Sequence, residues 1–186
     1  STDRTSVNVS LTDIDWMARR HGERFDFMSR VSGGYTKDLL TDGRGGQGRV
    51  ASFYADLADR QLGISGRVGR QSHTGDGILG IFDGVFASWQ KSARLTFNAA
   101  IGFPADTTRD GFSSERQFVA LSARFGPLRG AWDVGTFVVN QQLAGRIDRQ
   151  AIGVETRYFV PGRTAVLLVD YDVNYAALNS AILMGN

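Results

Sequence analysis

Arg94-Leu95-Thr96-Phe97-Asn98-Ala99-Ala100-Ile101-Gly102-Phe103 places an apolar side chain at every second position. Leu95, Phe97, Ala99, Ile101 and Phe103 share one parity, and Arg94, Thr96 and Asn98 share the other. A period of two belongs to a β-strand, whose successive side chains leave opposite faces. The same alternation recurs on both sides of this stretch. Phe25, Phe27, Val31 and Tyr35 oppose Arg24, Asp26, Arg30 and Ser32, and Ala51, Phe53, Ala55 and Leu57 oppose Ser52, Tyr54 and Asp56. Leu62, Ile64 and Val68 alternate with Ser65, Arg67 and Gln71, and Val119, Leu121, Ala123 and Phe125 with Arg116, Ser122 and Arg124. Ile152, Val154, Tyr158 and Val160 stand against Glu155 and Arg157; Ala165, Leu167, Val169 and Tyr171 stand against Asp170 and Asp172. Residues 5–18 and 131–140 alternate less cleanly. In the first of these the parity switches around Thr12–Ile14, which predicts a bulge. Ala51–Leu62 is the best helix candidate, but its period of two is the stronger signal.

The pattern predicts about ten strands of roughly ten residues and the start of an eleventh, close to the ~9–11 residues that carry a tilted strand across a bilayer. The joins Arg19–Glu23, Asp59–Gln61, Gln90–Ala93, Gly126–Gly130 and Pro161–Arg163 read as tight. Between them fall glycine- and aspartate-rich joins, Thr36–Gln47, Ser72–Asp83, Pro104–Ser114 and Gln141–Gln150, which read as long. Short and long alternate strictly, as in an antiparallel up-and-down meander with turns at one rim and loops at the other. Tyr35, Trp89, Phe103, Phe125, Trp132, Tyr158 and Tyr171 fall near strand ends, where interfacial girdles would lie. Aromatics capping a soluble core would also fall there.

Composition narrows the function classes. The chain has 186 residues, is 42% hydrophobic and 22% charged, and carries a net charge of +2 with no basic run, which argues against nucleic acid as a partner. Cysteine is absent, which excludes disulfides and thiolate chemistry. No window approaches the ~18 apolar residues of a membrane-spanning helix. The polar start at Ser1–Thr5 and the strand-like end at Leu178–Asn186 lead us to expect residues 1–186 to be a single barrel segment of a longer protein, truncated at both ends.

Period two does not say which face is dry, since a soluble barrel turns its apolar face inward and a membrane barrel turns it outward. The polar faces here mix long cations with acids, as a wet lumen permits. The apolar faces mix alanine, glycine and serine with phenylalanine, which would leave cavities in a packed core. Both features favour the membrane arrangement.

Few motifs point to chemistry. Gly75-Asp76-Gly77-Ile78-Leu79-Gly80 matches the spacing of a dinucleotide-binding loop, but Ile81-Phe82-Asp83-Gly84-Val85 after it does not read as the required helix. Asp170 and Asp172 share one strand face and could hold a hard cation, yet no third ligand is near, and carboxylates on a lumen wall account for them. His21 and His73 are expected in a tight turn and a long loop at opposite rims, which disfavours a shared metal site or a catalytic relay. Gly63-Ile64-Ser65-Gly66-Arg67 breaks the nucleophile elbow at its last place. No catalytic residue, cofactor or metal is expected, and the chain is not read as an enzyme. The inward arginines Arg24, Arg30, Arg67, Arg94, Arg124 and Arg157, with Asp26, Asp56, Glu155, Asp170 and Asp172, would form either a transverse field that screens solutes or an ion-pair lattice that stiffens the wall.

Gly66-Arg67-Val68-Gly69-Arg70-Gln71-Ser72, Gly77-Ile78-Leu79-Gly80-Ile81-Phe82-Asp83-Gly84 and Asn98-Ala99-Ala100-Ile101-Gly102-Phe103-Pro104 resemble segments of a group of proteobacterial porin-like outer-membrane proteins. Ala131-Trp132-Asp133, Arg157-Tyr158-Phe159 and the Leu168–Asp172 run fit the same order, so the resemblance covers most of the chain from about Arg49 onward. It implies a barrel that continues past Asn186, often with a helical-repeat region ahead of it, and supplies neither catalytic residues nor a substrate.

The expectation is therefore an all-β antiparallel meander, part of a transmembrane barrel in the bacterial outer membrane. Arg24, Asp26, Arg30, Arg67, Gln71, Arg94, Asn98, Arg124, Glu155, Arg157, Asp170 and Asp172 are candidates to line its lumen. The Ser72–Gly84 join, with Ile78, Leu79, Phe82 and Asp83, is a candidate to fold inward as a constriction. The expected partners are outer-membrane lipid and small polar solutes or exported polysaccharide. The alternatives are an anchor or secretion platform for a periplasmic repeat region, and a soluble ligand-binding barrel.

Overall fold

The computed structural model describes residues 9–39 and 46–186. The expected strand start near residue 5 and the middle of the Thr36–Gln47 join lie outside the described residues. The described chain is one antiparallel sheet of eleven strands in sequence order: β1 (Val9–His21), β2 (Phe25–Asp38), β3 (Gln47–Asp59), β4 (Ile64–Gly75), β5 (Ile78–Ser92), β6 (Leu95–Ala105), β7 (Arg116–Leu128), β8 (Trp132–Leu143), β9 (Arg146–Val160), β10 (Arg163–Asp172) and β11 (Ala177–Gly185). Every strand pairs with its predecessor and its successor. β1 and β11 pair on one side only, so among the described residues the barrel-like sheet is open.

Directly opposed residues share a face in an antiparallel ladder, so the register assigns faces across the whole sheet. Val31 stands between Trp16 and Phe53, and Leu121 between Ala99 and Val138. The face they mark, here called outer, carries exposed apolar side chains on every strand. Ile101 is 58% exposed and Leu121 53%, in the middle of their strands. Tyr35, Trp89, Phe125, Trp132 and Tyr171 are also exposed, each within four residues of a strand end. Trp132 stacks on Tyr158 with ring centroids 4.7 Å apart.

The structure corrects three expectations. First, β1 pairs with β2 from Val9 to His21 without interruption, so there is no bulge at Thr12–Ile14. Leu11 and Met17 simply stand on the polar parity with Asp13 and Asp15. Second, the eleventh strand, expected only as a start, runs over Ala177–Gly185. Third, two of the four long joins are continuing ladder. β4 and β5 pair as far as Gly75↔Ile78 and turn at Asp76-Gly77; β8 and β9 turn at Ala144-Gly145. Both residues of each turn have positive φ (55° and 78°, 50° and 78°), the twist that matches a two-residue hairpin. The short-and-long order of loops is thus partly an order of strand lengths, with β5 and β9 the longest at 15 residues.

The β4–β5 hairpin leaves the wall. Arg67 opposes Phe86, and His73, six residues further along β4, would lie ~20 Å away on a straight strand. Instead the His73 and Phe86 rings are 4.6 Å apart. The chain folds at a row of paired glycines, Gly69↔Gly84↔Gly102, on three adjacent strands. A Cβ on Gly69 would collide with the Phe53 carbonyl oxygen, one on Gly84 with that of Ile101, and one on Gly102 would lie 2.6 Å from that of Asp83. Only glycine lets the backbones approach this closely. Beyond the crease β4 parts from β3, whose last partner is Arg70 opposite Phe53. The β6–β7 join passes over the gap: Val50 N–H donates to the Thr108 carbonyl (2.7 Å), and Arg70 donates to that of Asp110 (2.7 Å).

Candidate functional site

The folded hairpin lies across the inner face, and its tip is held there by a polar relay. Asn98 on β6 donates to the Ser122 hydroxyl on β7 (3.0 Å), and Ser122 donates to Asp76 at the tip (2.9 Å). Arg124 on β7 donates to the same Asp76 oxygen (3.1 Å), His73 meets the other (3.2 Å), and the Asp76 backbone N–H donates to Glu155 on β9 (3.3 Å). Asp76 is 7% exposed. Burial pushes its carboxyl up, but His73, Arg124 and Ser122 outweigh that and hold it below the usual carboxylate range.

Beside the relay lies an apolar contact. Ile78 and Phe82 of the hairpin join Ala100, Phe118, Ala120, Phe137, Val139, Ala151 and Leu168 of the inner face in one buried cluster. Phe82 meets Phe118 edge-on with centroids 5.1 Å apart, a favoured aromatic geometry. A Cβ on Gly77 would collide with the Phe137 ring, so glycine sets how closely the tip seats.

The rest of the inner wall is laced with ion pairs. Arg30 takes Asp15 (2.7 Å), Arg67 grips Asp56 through two bonds (2.6 and 2.9 Å) while lying over the Tyr54 ring, and Arg49 takes Asp13 (2.5 Å). Arg60 holds Asp26, Arg157 holds Glu155, and Arg149 holds Asp170.

The sequence candidates fall into distinct places. Asp26, Arg30, Arg67, Asn98, Arg124, Glu155, Arg157 and Asp170 stand on the inner face. Gln71, 1% exposed, lies just past the crease beneath the hairpin. Arg24 sits in the β1–β2 turn, paired to Asp59 (2.6 Å), and Arg94 in the β5–β6 turn. Asp172 accepts the backbone N–H groups of Asn174 (2.8 Å) and Tyr175 (3.2 Å) and so closes the β10–β11 turn. Of the constriction candidates, Ile78 and Phe82 pack against the inner face. The Leu79 side chain lies outside the described residues. Asp83 has the opposite parity to Phe82, pairs with Arg70 (2.6 Å), and lies on the outer side beneath the β6–β7 join.

Sequence reasoning missed Asp76 as an anchor, although Asp-Gly between apolar runs is a strong hairpin signal. It also missed Phe118, Phe137 and Leu168 as its seat, because they are apolar residues on the polar parity. The histidines are another correction. His21 ends β1 and His73 lies in β4, and the crease brings both to the lining of one cavity of about 400 Å³. Among the described residues no group of three metal-ligating side chains occurs.

No protein-family model matches this chain, and no curated protein does. Among solved structures it is similar to Pseudomonas aeruginosa OccK2 (OpdF) in complex with glucuronate, at 15% identity and a TM-score of 0.46, over 97% of this chain and 61% of that one. A second structure of OccK2 (OpdF) is similar at 16% identity and a TM-score of 0.47, over 89% of this chain and 62% of that one. The chain thus spans about three fifths of the length of the structures it matches.

Proposed function

We propose that this sheet is a wall of a bacterial outer-membrane barrel whose polar interior passes small solutes, and that the β4–β5 hairpin narrows the passage. The observation that carries the reading is the division of the two faces. Alternate positions of every strand present exposed apolar side chains outward, while the inner face holds ion pairs and the buried relay at Asp76. An apolar surface of this extent marks contact with lipid or another apolar partner. A soluble ligand-binding barrel would hide those side chains in its core. The free edges of β1 and β11 are to be covered by further strands, since an open edge in a bilayer leaves backbone groups unsatisfied. Among the inner-wall arginines, Arg30, Arg67 and Arg157 are paired on the wall itself, which favours a stiffening lattice there.

The test is conductance of the full-length protein in planar bilayers, before and after residues 70–83 are replaced by an Asn-Gly turn joining the paired Gly69 and Gly84. The reading expects conductance in the parent and a larger unitary current after removal; an unchanged current removes the hairpin as a constriction. The apolar cluster beneath Ile78 and Phe82 supports a second reading, a plugged barrel that serves as anchor or secretion platform for exported polysaccharide. That reading expects a silent parent that conducts only without the hairpin.

A further inference from the structure

The cavity shared by His21 and His73 has a floor and a roof from different parts of the sheet. Its floor is the inner face of β1–β5 at one level, where Arg19 opposes Met28, Met28 opposes Asp56, Asp56 opposes Arg67 and Arg67 opposes Phe86. Its roof is the underside of the folded hairpin, with Gln71 and His73. At about 400 Å³ it falls in the ~300–1,000 Å³ range of small-ligand sites.

The charges in the lining do not cancel. Asp56 is fully engaged by Arg67, and Asp26 by Arg60, which stands outside the lining, and by His21 within it (2.9 Å). Two arginines and two carboxylates therefore line the cavity with one carboxylate already engaged from elsewhere, and among the described residues Arg19 has no acidic partner. Met28 stands directly opposite Arg19, and Ala58 and Phe86 add apolar surface further along the lining. We propose that this cavity binds a small organic anion, with the carboxylate on Arg19 and an apolar body against Met28. The proposal rests on the inner face being the wet side of the barrel and does not require conduction.

Binding of 4-fluorobenzoate to the folded full chain in detergent micelles, read by fluorine NMR line broadening, tests it directly. The neutral 4-fluorobenzyl alcohol reports partition into micelles. The proposal expects saturable binding of the acid, at least tenfold weaker binding of the alcohol, a tenfold loss in Arg19→Gln and no change in Arg20→Gln, which alters the neighbouring arginine on the outer face. Equal binding of acid and alcohol overturns it, as does an Arg19→Gln protein that shows a parental spectrum in circular dichroism and binds the acid as before. A protein that conducts but fails this test loses the site and keeps the passage; one that binds but never conducts loses the passage and keeps the site.

Discussion

Gly69 and Gly84 face each other across β4 and β5, and neither backbone has room for a Cβ. With Gly102 on β6 they form the crease at which the hairpin turns from the wall onto the inner face. The fold of the hairpin is thus set by three absent side chains.

Gly84→Ala should force the crease open or shift Ile101, because the added Cβ would meet a backbone oxygen that cannot rotate aside. We expect a loss on the order of 1–3 kcal/mol, read as a lower urea midpoint of the protein in micelles. Gly145→Ala has open space around it, and the positive φ there limits its cost to about 1 kcal/mol.

Asp76 anchors the hairpin tip, and its depressed carboxyl gives the anchor a pH dependence of known sign. A group whose folded value lies below its unfolded one contributes stability above the unfolded value, about 4. That stability is lost as the pH falls through the folded value. Amide exchange of residues 75–80, corrected for intrinsic rates, should therefore be slow at pH 7 and rise below about pH 4. In Asp76→Asn it should be fast already at pH 7, since Arg124 loses its carboxylate, a change worth about 1–3 kcal/mol.

Ile101 and Ser32 test the two faces by charge. Ile101 stands mid-strand on the outer face, whereas Ser32 stands on the inner face opposite Asp15. Ile101→Lys should destabilise the protein folded into vesicles by about 2–4 kcal/mol, the cost of a lysine near the bilayer midplane. Ser32→Lys should change it by less than about 1 kcal/mol, as a lysine beside a carboxylate in water does.

Much of the fold was legible because period two survives in the sequence wherever one face is apolar. Leu95–Phe103 and Ile152–Val160 keep their parity in the structure, and the outward set follows from it. The hairpin at Ala144-Gly145 was not legible, since alanine at positive φ carries no turn signal. The crease was hidden for another reason. Gly69, Gly84 and Gly102 are separated in sequence and become neighbours only through the register of two ladders. The inner-wall candidates were found by their charge, but the seat of the hairpin was not, because Phe118, Phe137 and Leu168 break the polar parity where a second layer covers them.

The chain has no native cysteine, so single cysteines at 27 through 32 of β2 can report its two faces one position at a time. The protein is folded into lipid vesicles and treated with a charged, water-soluble maleimide. If the apolar parity meets lipid, cysteines at 28, 30 and 32 react and those at 27, 29 and 31 are protected. Reaction at 27, 29 and 31 with protection at 28, 30 and 32 would contradict the account, since the apolar side chains would then lie in water and the charged ones in the dry phase.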